Sequence, residues 1–275
     1  MPNDLTLAIA IMTLLSAALA WLGFQIGRRI SLRVSLLFCA GCVAVILTYG
    51  LYLNDSVFLA RMLPVPDTIA WTNLQFPATC LLGGLAWHRL PGRRWQKVLL
   101  IGVLVGVGFW RLLGPYLGSK PALGPDRWMH DVCRKSTTST CSAASAATLL
   151  RAVGIPATEK EMCDLCLTHT GGTTLLGLYR GLKLKTERTG WNVVVLRGHA
   201  ADLRSGPLPA IITITDPGAA TNWITIGNRH SVVLFGFTLD GRADIGDPFS
   251  GRQNWSDQEL TKCFEGDAIG LTRGH

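Results

Sequence analysis

The chain has 275 residues, only 16% of them charged, with a formal net charge of +8 and a mean hydropathy of +0.30. A nucleic-acid binder of that charge would carry its basic residues as a stripe interleaved with aromatics; here many sit in two short clusters between apolar segments, and no nucleic-acid-binding fingerprint accompanies them, so that partner class is excluded. Apolar residues crowd into positions 1–117, with charge and turn chemistry afterwards, which excludes a single soluble globule and predicts a membrane half followed by a soluble half.

Four stretches, 5–26, 34–53, 68–87 and 98–117, approach the ~20 apolar residues that a membrane-spanning helix needs. The third is interrupted by Gln75 and Pro77. No Lys or Arg precedes the first, and Arg28 and Arg29 follow it, the reverse of a secretory signal; an uncleaved anchor is expected. Arg28, Arg29 and Arg33 follow the first stretch and Arg89, Arg93, Arg94 and Lys97 the third, whereas 54–67 carries only Arg61. Basic loops face the cytoplasm, so four spans place both termini, and everything after about Gly118, outside what reads as a bacterial inner membrane. A re-entrant third segment would leave three spans and flip the side. The expected division is a helical transmembrane bundle over 1–118, a linker over 119–128 and a soluble domain over 129–275.

The soluble half opens on a turn-rich stretch with Pro121, Gly124 and Pro125. Helical spacing over 141–153 predicts a helix with Thr140 as N-cap and Gly154 as stop, which sets Cys141 in its first turn. Thr158 and Glu161 have capping-box spacing and open a second helix towards His169. Thr173 or Thr174 caps a third over 175–189, closed by Gly190. The pattern then changes to short segments rich in Val, Ile, Thr and aromatics, at 191–196, 210–215, 223–226, 231–238 and 242–245, which read as strands. Leu239-Asp240-Gly241 carries the Asp-Gly signature of a tight hairpin, pairing the strand from Ser231 with the one ending near Ile245. Ser256 and Glu259 mark one more capped helix, and 268–272 closes the sheet. Helices first and antiparallel strands after them make an α+β domain.

Cys141, His230 and Asp247 fall at particular places on that layout. A helix N-terminus stabilises a thiolate through its unpaired N–H groups and dipole, and Cys141 is so placed. His230 stands at the start of a strand, after the Gly227-Asn228-Arg229 turn, where its ring can project towards a helix end and act as a general base. Antiparallel pairing across the hairpin brings Asp247, at the end of the return strand, beside His230, where an acid would fix the imidazole tautomer. Each residue alone has an ordinary structural reading. Their conjunction is what points to a thiol nucleophile.

The stretches VCRKSTTSTCSAASAATLLRAVGI and NRHSVVLFGFTLDGRADIGDP resemble the bacteriocin-processing, double-glycine leader peptidases, which are papain-like and often fused to ABC exporters. The similarity spans 129–273. It implies a papain-like fold, with Cys141 as nucleophile, His230 as base and Asp247 as orienting acid. It also implies a peptide or leader-peptide substrate, an exporter as a candidate partner, and no cofactor or metal. Two residues depart from the pattern: Lys135 stands where the family places a Gln that completes the oxyanion hole, and Ser142 where it places Gly. No GxxxxGK[ST] motif is present, so the chain is not expected to be an exporter ATPase. The reading is a cysteine peptidase anchored in the lipid bilayer; the alternative is a catalytically inactive membrane protein that binds peptides in the same groove, with Lys135 as its argument.

Cys133, Cys163, Cys166 and Cys263 remain in the soluble half. The Cys163-x-x-Cys166 spacing invites a zinc or redox reading, but no second pair of similar spacing appears and no thioredoxin-like context surrounds it. For an extracytoplasmic domain, one or two disulfides among the four are expected, with three pairings open. Cys39, Cys42 and Cys80 read as small packing residues in spans.

Overall fold

The computed structural model describes residues 3–274 except 216–228, and the side chains of all of these but Asn3, Arg111 and Pro115. The expected strand at 223–226 and the turn at Gly227-Asn228 lie outside the described residues. The chain forms two compact units, one of residues 1–59 and 67–117, the other of 60–66 and 118–275.

The first unit is helical: α1 (Asn3–Arg29), α2 (Leu32–Thr48) continuing through a π turn (Tyr49–Leu53), α3 (Val57–Met62, shared with the second unit), α4 (Thr68–Trp71), α5 (Gln75–Ala86) and α6 (Arg94–Leu117). Among the described residues three helices, over Asp4–Arg29, Leu32–Leu53 and Arg94–Gly114, are long and apolar enough to cross a membrane. Their outer faces expose Leu14, Trp21, Leu37, Leu51, Val103 and Trp110, a surface that water would penalise.

The interrupted third stretch, 68–87, forms two short helices in place of one long one. The helix stops after Trp71 and restarts at Gln75, with the Asn73 side chain accepting the Phe76 N–H at 3.2 Å. Pro77 thereby falls in the first turn of α5, where its missing N–H costs nothing. At ~1.5 Å per residue α5 alone is only ~18 Å long, short of the ~30 Å apolar core of a bilayer. It nonetheless runs parallel to α1: Ala8 and Met12 cluster with Ala70, Phe76 and Cys80, and further along Gly84 backs onto the Ala20 carbonyl, Gly23 onto Leu81 and Gly27 onto Leu85. Added Cβ atoms at Gly84, Gly23 and Gly27 would stand 2.1, 2.6 and 2.8 Å from those neighbours' carbonyl oxygens, so glycine is what lets the backbones approach. Arg89 then donates to the Ile30 carbonyl at 2.6 Å, bringing the stretches after α1 and after α5 to one end of this unit.

The second unit is α+β. A short hairpin, β1 (Arg127–Met129) with β2 (Val132–Arg134), precedes α7 (Cys141–Ala152), α8 (Glu159–Leu165) and α9 (Leu175–Thr186). The strands β3 (Trp191–Arg197), β4 (Ala210–Thr215), β5 (Arg229–Phe237), β6 (Ala243–Asp247), β7 (Gly251–Trp255) and β8 (Phe264–Arg273) form one antiparallel sheet in the order β3-β8-β4-β5-β6-β7. A 3-10 turn (Ala200–Arg204) and α10 (Asp257–Cys263) complete it. Thr158 caps α8 and Thr174 caps α9 as their spacing predicts, and Ser256 with Glu259 forms a full capping box. The 239–241 turn pairs β5 with β6 from Phe237↔Ala243 onward.

Alternation along the sheet separates two cores. Ile212, Ile214, Val232, Leu234 and Ile245 pack with Leu203, Leu260 and Cys263, from the 3-10 turn and α10. The opposite face receives α7, whose small residues Ala143, Ala144, Ala146 and Ala147 are wholly buried. Small side chains let this helix lie close to the strands, and nine consecutive residues from Ser142 to Leu150 are buried, so α7 is enclosed on all sides.

Candidate active site

Cys141 is the first residue of α7. Thr140 holds the N-cap position, but its hydroxyl turns back, donating to the Thr137 carbonyl at 3.2 Å and accepting the Thr137 N–H at 3.1 Å. The expected side-chain cap is therefore absent. Thr140 leaves the first-turn N–H groups, which carry the positive end of the helix dipole, to face the thiol end of the helix.

β5 carries His230 as its second residue and β6 ends on Asp247, and the hairpin register brings both to one end of the sheet. The His230 Nε2 meets Asp247 Oδ1 at 2.6 Å. Asp247 is itself held: Oδ1 accepts the Phe249 N–H at 2.8 Å and Oδ2 accepts the Ser250 hydroxyl. With Nε2 committed, Nδ1 is the ring nitrogen left for Cys141, whose thiol is hydrogen-bonded to His230. The structure thus brings Cys141, His230 and Asp247 into one connected line.

The electrostatics follow that line. Burial pushes the Cys141 thiol up, but the bond to His230, the His230 charge, the Ser231 N–H and the Lys135 charge outweigh it, and its pKa falls below the usual 9.0. Burial pushes His230 down, and the bonds to Asp247 and Cys141 reverse this and raise it to about 9. Asp247, although buried, is lowered to about 2 by His230, Ser250 and the Phe249 N–H. All three shifts favour a thiolate beside an imidazolium.

Lys135 follows β2. Its N–H donates to the Pro248 carbonyl at 3.1 Å, and its ammonium lies over the ring of Phe249, 4.9 Å from the centroid. Phe249 is 65% exposed at the rim of the site. Sequence reasoning missed Ser231, Phe249 and Ser250. An Asp followed within three residues by Ser is a turn pattern that could have revealed the last two.

The model of the Peptidase C39 family matches residues 130–275. The chain belongs to that family. The C39 domain is also similar, at 25% identity over 142 residues, to an uncharacterized protein of Methanothermobacter marburgensis, covering 52% of this chain and 88% of that protein. Among solved structures it is similar to a double glycine motif protease from an AMS/PCAT transporter in complex with the leader peptide, with a TM-score of 0.43, 19% identity, and coverage of 57% of this chain and 96% of that one. The peptidase domain of Streptococcus ComA, a bi-functional ABC transporter involved in a quorum sensing pathway, matches with a TM-score of 0.42 and 19% identity over 52% of this chain and 96% of that one.

The expected disulfides do not form: all eight cysteines are free. In the C39 domain Cys263 belongs to the core between the sheet and α10, whereas Cys166 packs against α9, where its sulfur contacts the Leu178 carbonyl at 3.9 Å and fills the space over Gly181. Burial pushes the thiols of Cys133 and Cys163 up to about 12, and that of Cys166 higher still. Thiols so disposed are neutral packing groups, which also removes the support for a redox pair.

Proposed function

We propose that the chain is a membrane-anchored cysteine peptidase that cleaves a peptide or leader-peptide substrate by thiolate attack. The observation that carries this reading is the Cys141–His230–Asp247 line, with its lowered thiol and raised imidazole. The Cys141 sulfur attacks the scissile carbonyl carbon, and the carbonyl electron pair moves onto oxygen. The oxyanion is met by the Cys141 N–H at the head of α7 and by the Lys135 ammonium, which swings from its place over Phe249. As the intermediate collapses, the C–N bond breaks and His230 gives its proton to the leaving amine. A water then attacks the acyl-enzyme as His230 takes its proton, releasing the acid and restoring the thiol. Asp247 keeps Nε2 protonated and the ring aligned throughout.

Anchoring rests on the three long apolar helices and on the course of α4–α5 beside α1. If the two short helices together make a crossing, the bundle has four, and the basic stretches after α1 and α5 share one side. That arrangement supports a domain on the extracytoplasmic side of a bacterial inner membrane.

The test uses full-length protein with a thiol-directed peptide electrophile at graded pH, the adduct being located by mass spectrometry. A single adduct on Cys141, formed well below pH 8.5 and lost in His230→Ala, supports the peptidase. An adduct confined to Cys163 or Cys166 overturns it. The second reading, an inactive peptide-binding groove, is favoured by Lys135 standing in sequence where the resemblance places the oxyanion Gln, with its ammonium resting over Phe249; labelling of Cys141 with no cleavage across a peptide library would select it.

A further inference from the structure

One residue beyond each member of the reactive pair stands a second pair. Ser142 follows Cys141 on α7, Ser231 follows His230 on β5, and their hydroxyl oxygens are 2.9 Å apart. Both side chains are buried, in a place where an unpaired hydroxyl would be costly. One turn along α7, the Ser145 hydroxyl donates to the Ser231 carbonyl at 2.9 Å. The Ser231 N–H, in turn, is the backbone group hydrogen-bonded to the Cys141 sulfur. Every polar group of Ser231 is therefore directed at α7: its N–H at the nucleophile, its hydroxyl at Ser142 and its carbonyl at Ser145.

We propose that Ser142 and Ser231 are positioning residues, a hydroxyl clamp that fixes the head of α7 against the start of β5 and so sets the distance between the Cys141 sulfur and the His230 ring. The clamp explains why a side chain is accommodated after the nucleophile, where the resemblance places Gly: the space beside Cys141 is filled by a hydroxyl that has a partner on the facing strand. A helix packed through alanines can slide along a sheet with little steric resistance, whereas two directional bonds at Ser231 define one register.

This inference rests on the Cys141–His230 pair reacting as proposed above. It is tested with Ser142→Ala, Ser231→Ala and the double variant, by measuring the rate of Cys141 alkylation with iodoacetamide against pH beside the thermal midpoint. Each single variant is expected to raise the apparent pKa of Cys141 by roughly one unit, a loss of about tenfold in thiolate at a pH below that value. The double variant is expected to lose little more than either single one, because the two hydroxyls act as one contact. Thr148→Val, which removes the α7 hydroxyl that accepts the N–H of Cys133 on β2, is the comparison: it is expected to lower the thermal midpoint with the alkylation profile unchanged. If the serine variants behave like Thr148→Val, losing stability with an unmoved profile, the clamp is only structural and the proposal is overturned. Independent, multiplying effects of the two serines overturn it as well. Should the double variant not fold, Ser142→Ala, with a residue suited to a helix interior, still decides the central point, because an unmoved alkylation profile in that variant overturns the clamp. A wild-type profile that ignores His230→Ala would instead strike at the peptidase reading itself, so the two failures are told apart.

Discussion

Two cysteine neighbourhoods in the same domain make an instructive contrast. Cys141 begins α7, and Cys166 ends α8 as its C-cap residue. Burial is the largest influence on both thiols, and at Cys166 it prevails: the contributions of Arg180 and of the Gly181 backbone are too small to offset it, and the last carbonyls of a helix repel a thiolate. At Cys141 the same penalty is overcome by an imidazole, a backbone N–H and a lysine. Depth in the fold therefore does not decide whether a cysteine reacts. The end of the helix that it occupies, and what faces it there, do.

The sharpest way to break this contrast is to alkylate the native protein at pH 7. Cys141 should react at least ~1,000-fold faster than Cys163, whose pKa of about 12 leaves a thiolate fraction near ~10⁻⁵. Comparable rates would dissolve the distinction. His230→Ala should lower peptide cleavage by roughly 100- to 10,000-fold and raise the pH at which Cys141 alkylates, because it removes both the base and the largest influence that lowers the thiol. Lys135→Ala should cost about 100- to 1,000-fold in cleavage if its ammonium meets the oxyanion, while Lys135→Gln, which restores an uncharged donor, should recover most of that loss. A Lys135→Ala enzyme with full activity would assign the oxyanion to backbone donors alone.

The pH profile gives a subtler measure. Cleavage should rise as Cys141 ionises, below the ordinary thiol value of 9.0, and fall again as His230 loses its proton near about 9. Asp247→Asn should move the falling limb down towards 6.5, since the imidazolium loses the carboxylate that holds it. Stability follows the same groups with opposite signs. The raised pKa of His230 contributes stability that is complete below 6.5 and is lost as pH climbs through about 9. Asp247, lowered from 3.8 to about 2, contributes stability that is present above 3.8 and lost as pH falls towards 2. The gap in thermal midpoint between the wild type and Asp247→Asn should close as pH falls towards 2 and should narrow, without vanishing, as pH climbs through about 9, because Ser250 and the Phe249 N–H still hold the carboxylate there.

Much of the site's placement was readable because local signals and topology agree there. The Asp240-Gly241 turn sets the β5–β6 pairing, and that pairing alone carries Asp247 to His230 across 17 residues of chain. Helical spacing after Thr140 set Cys141 at a helix start, even though the threonine cap itself did not form. The failures have equally local causes. β7 reads Gly-Arg-Gln-Asn-Trp, without the branched residues that announce a strand, and it forms because β6 offers it a partner. The hairpin β1–β2 fell partly inside an expected linker because three-residue strands leave no periodicity to detect. The disulfide expectation took its force from compartment, and the packing of Cys166 and Cys263 in separate places leaves it without geometry. Ser231 was invisible for another reason: its meaning lies in three bonds to a helix 80 or more residues away.

The position of β8 has a bearing on folding. The segment Phe264–Arg273 is made after every other strand, yet it lies between β3 and β4 and pairs with both. Before it pairs, β3 has no strand neighbour among the described residues and β4 has a bare margin. A nascent chain can hold the cysteine, the histidine and the aspartate and still lack the finished platform that supports them. The platform beneath that line is thus completed by a pairing between segments far apart in the chain, the kind that forms slowly during folding.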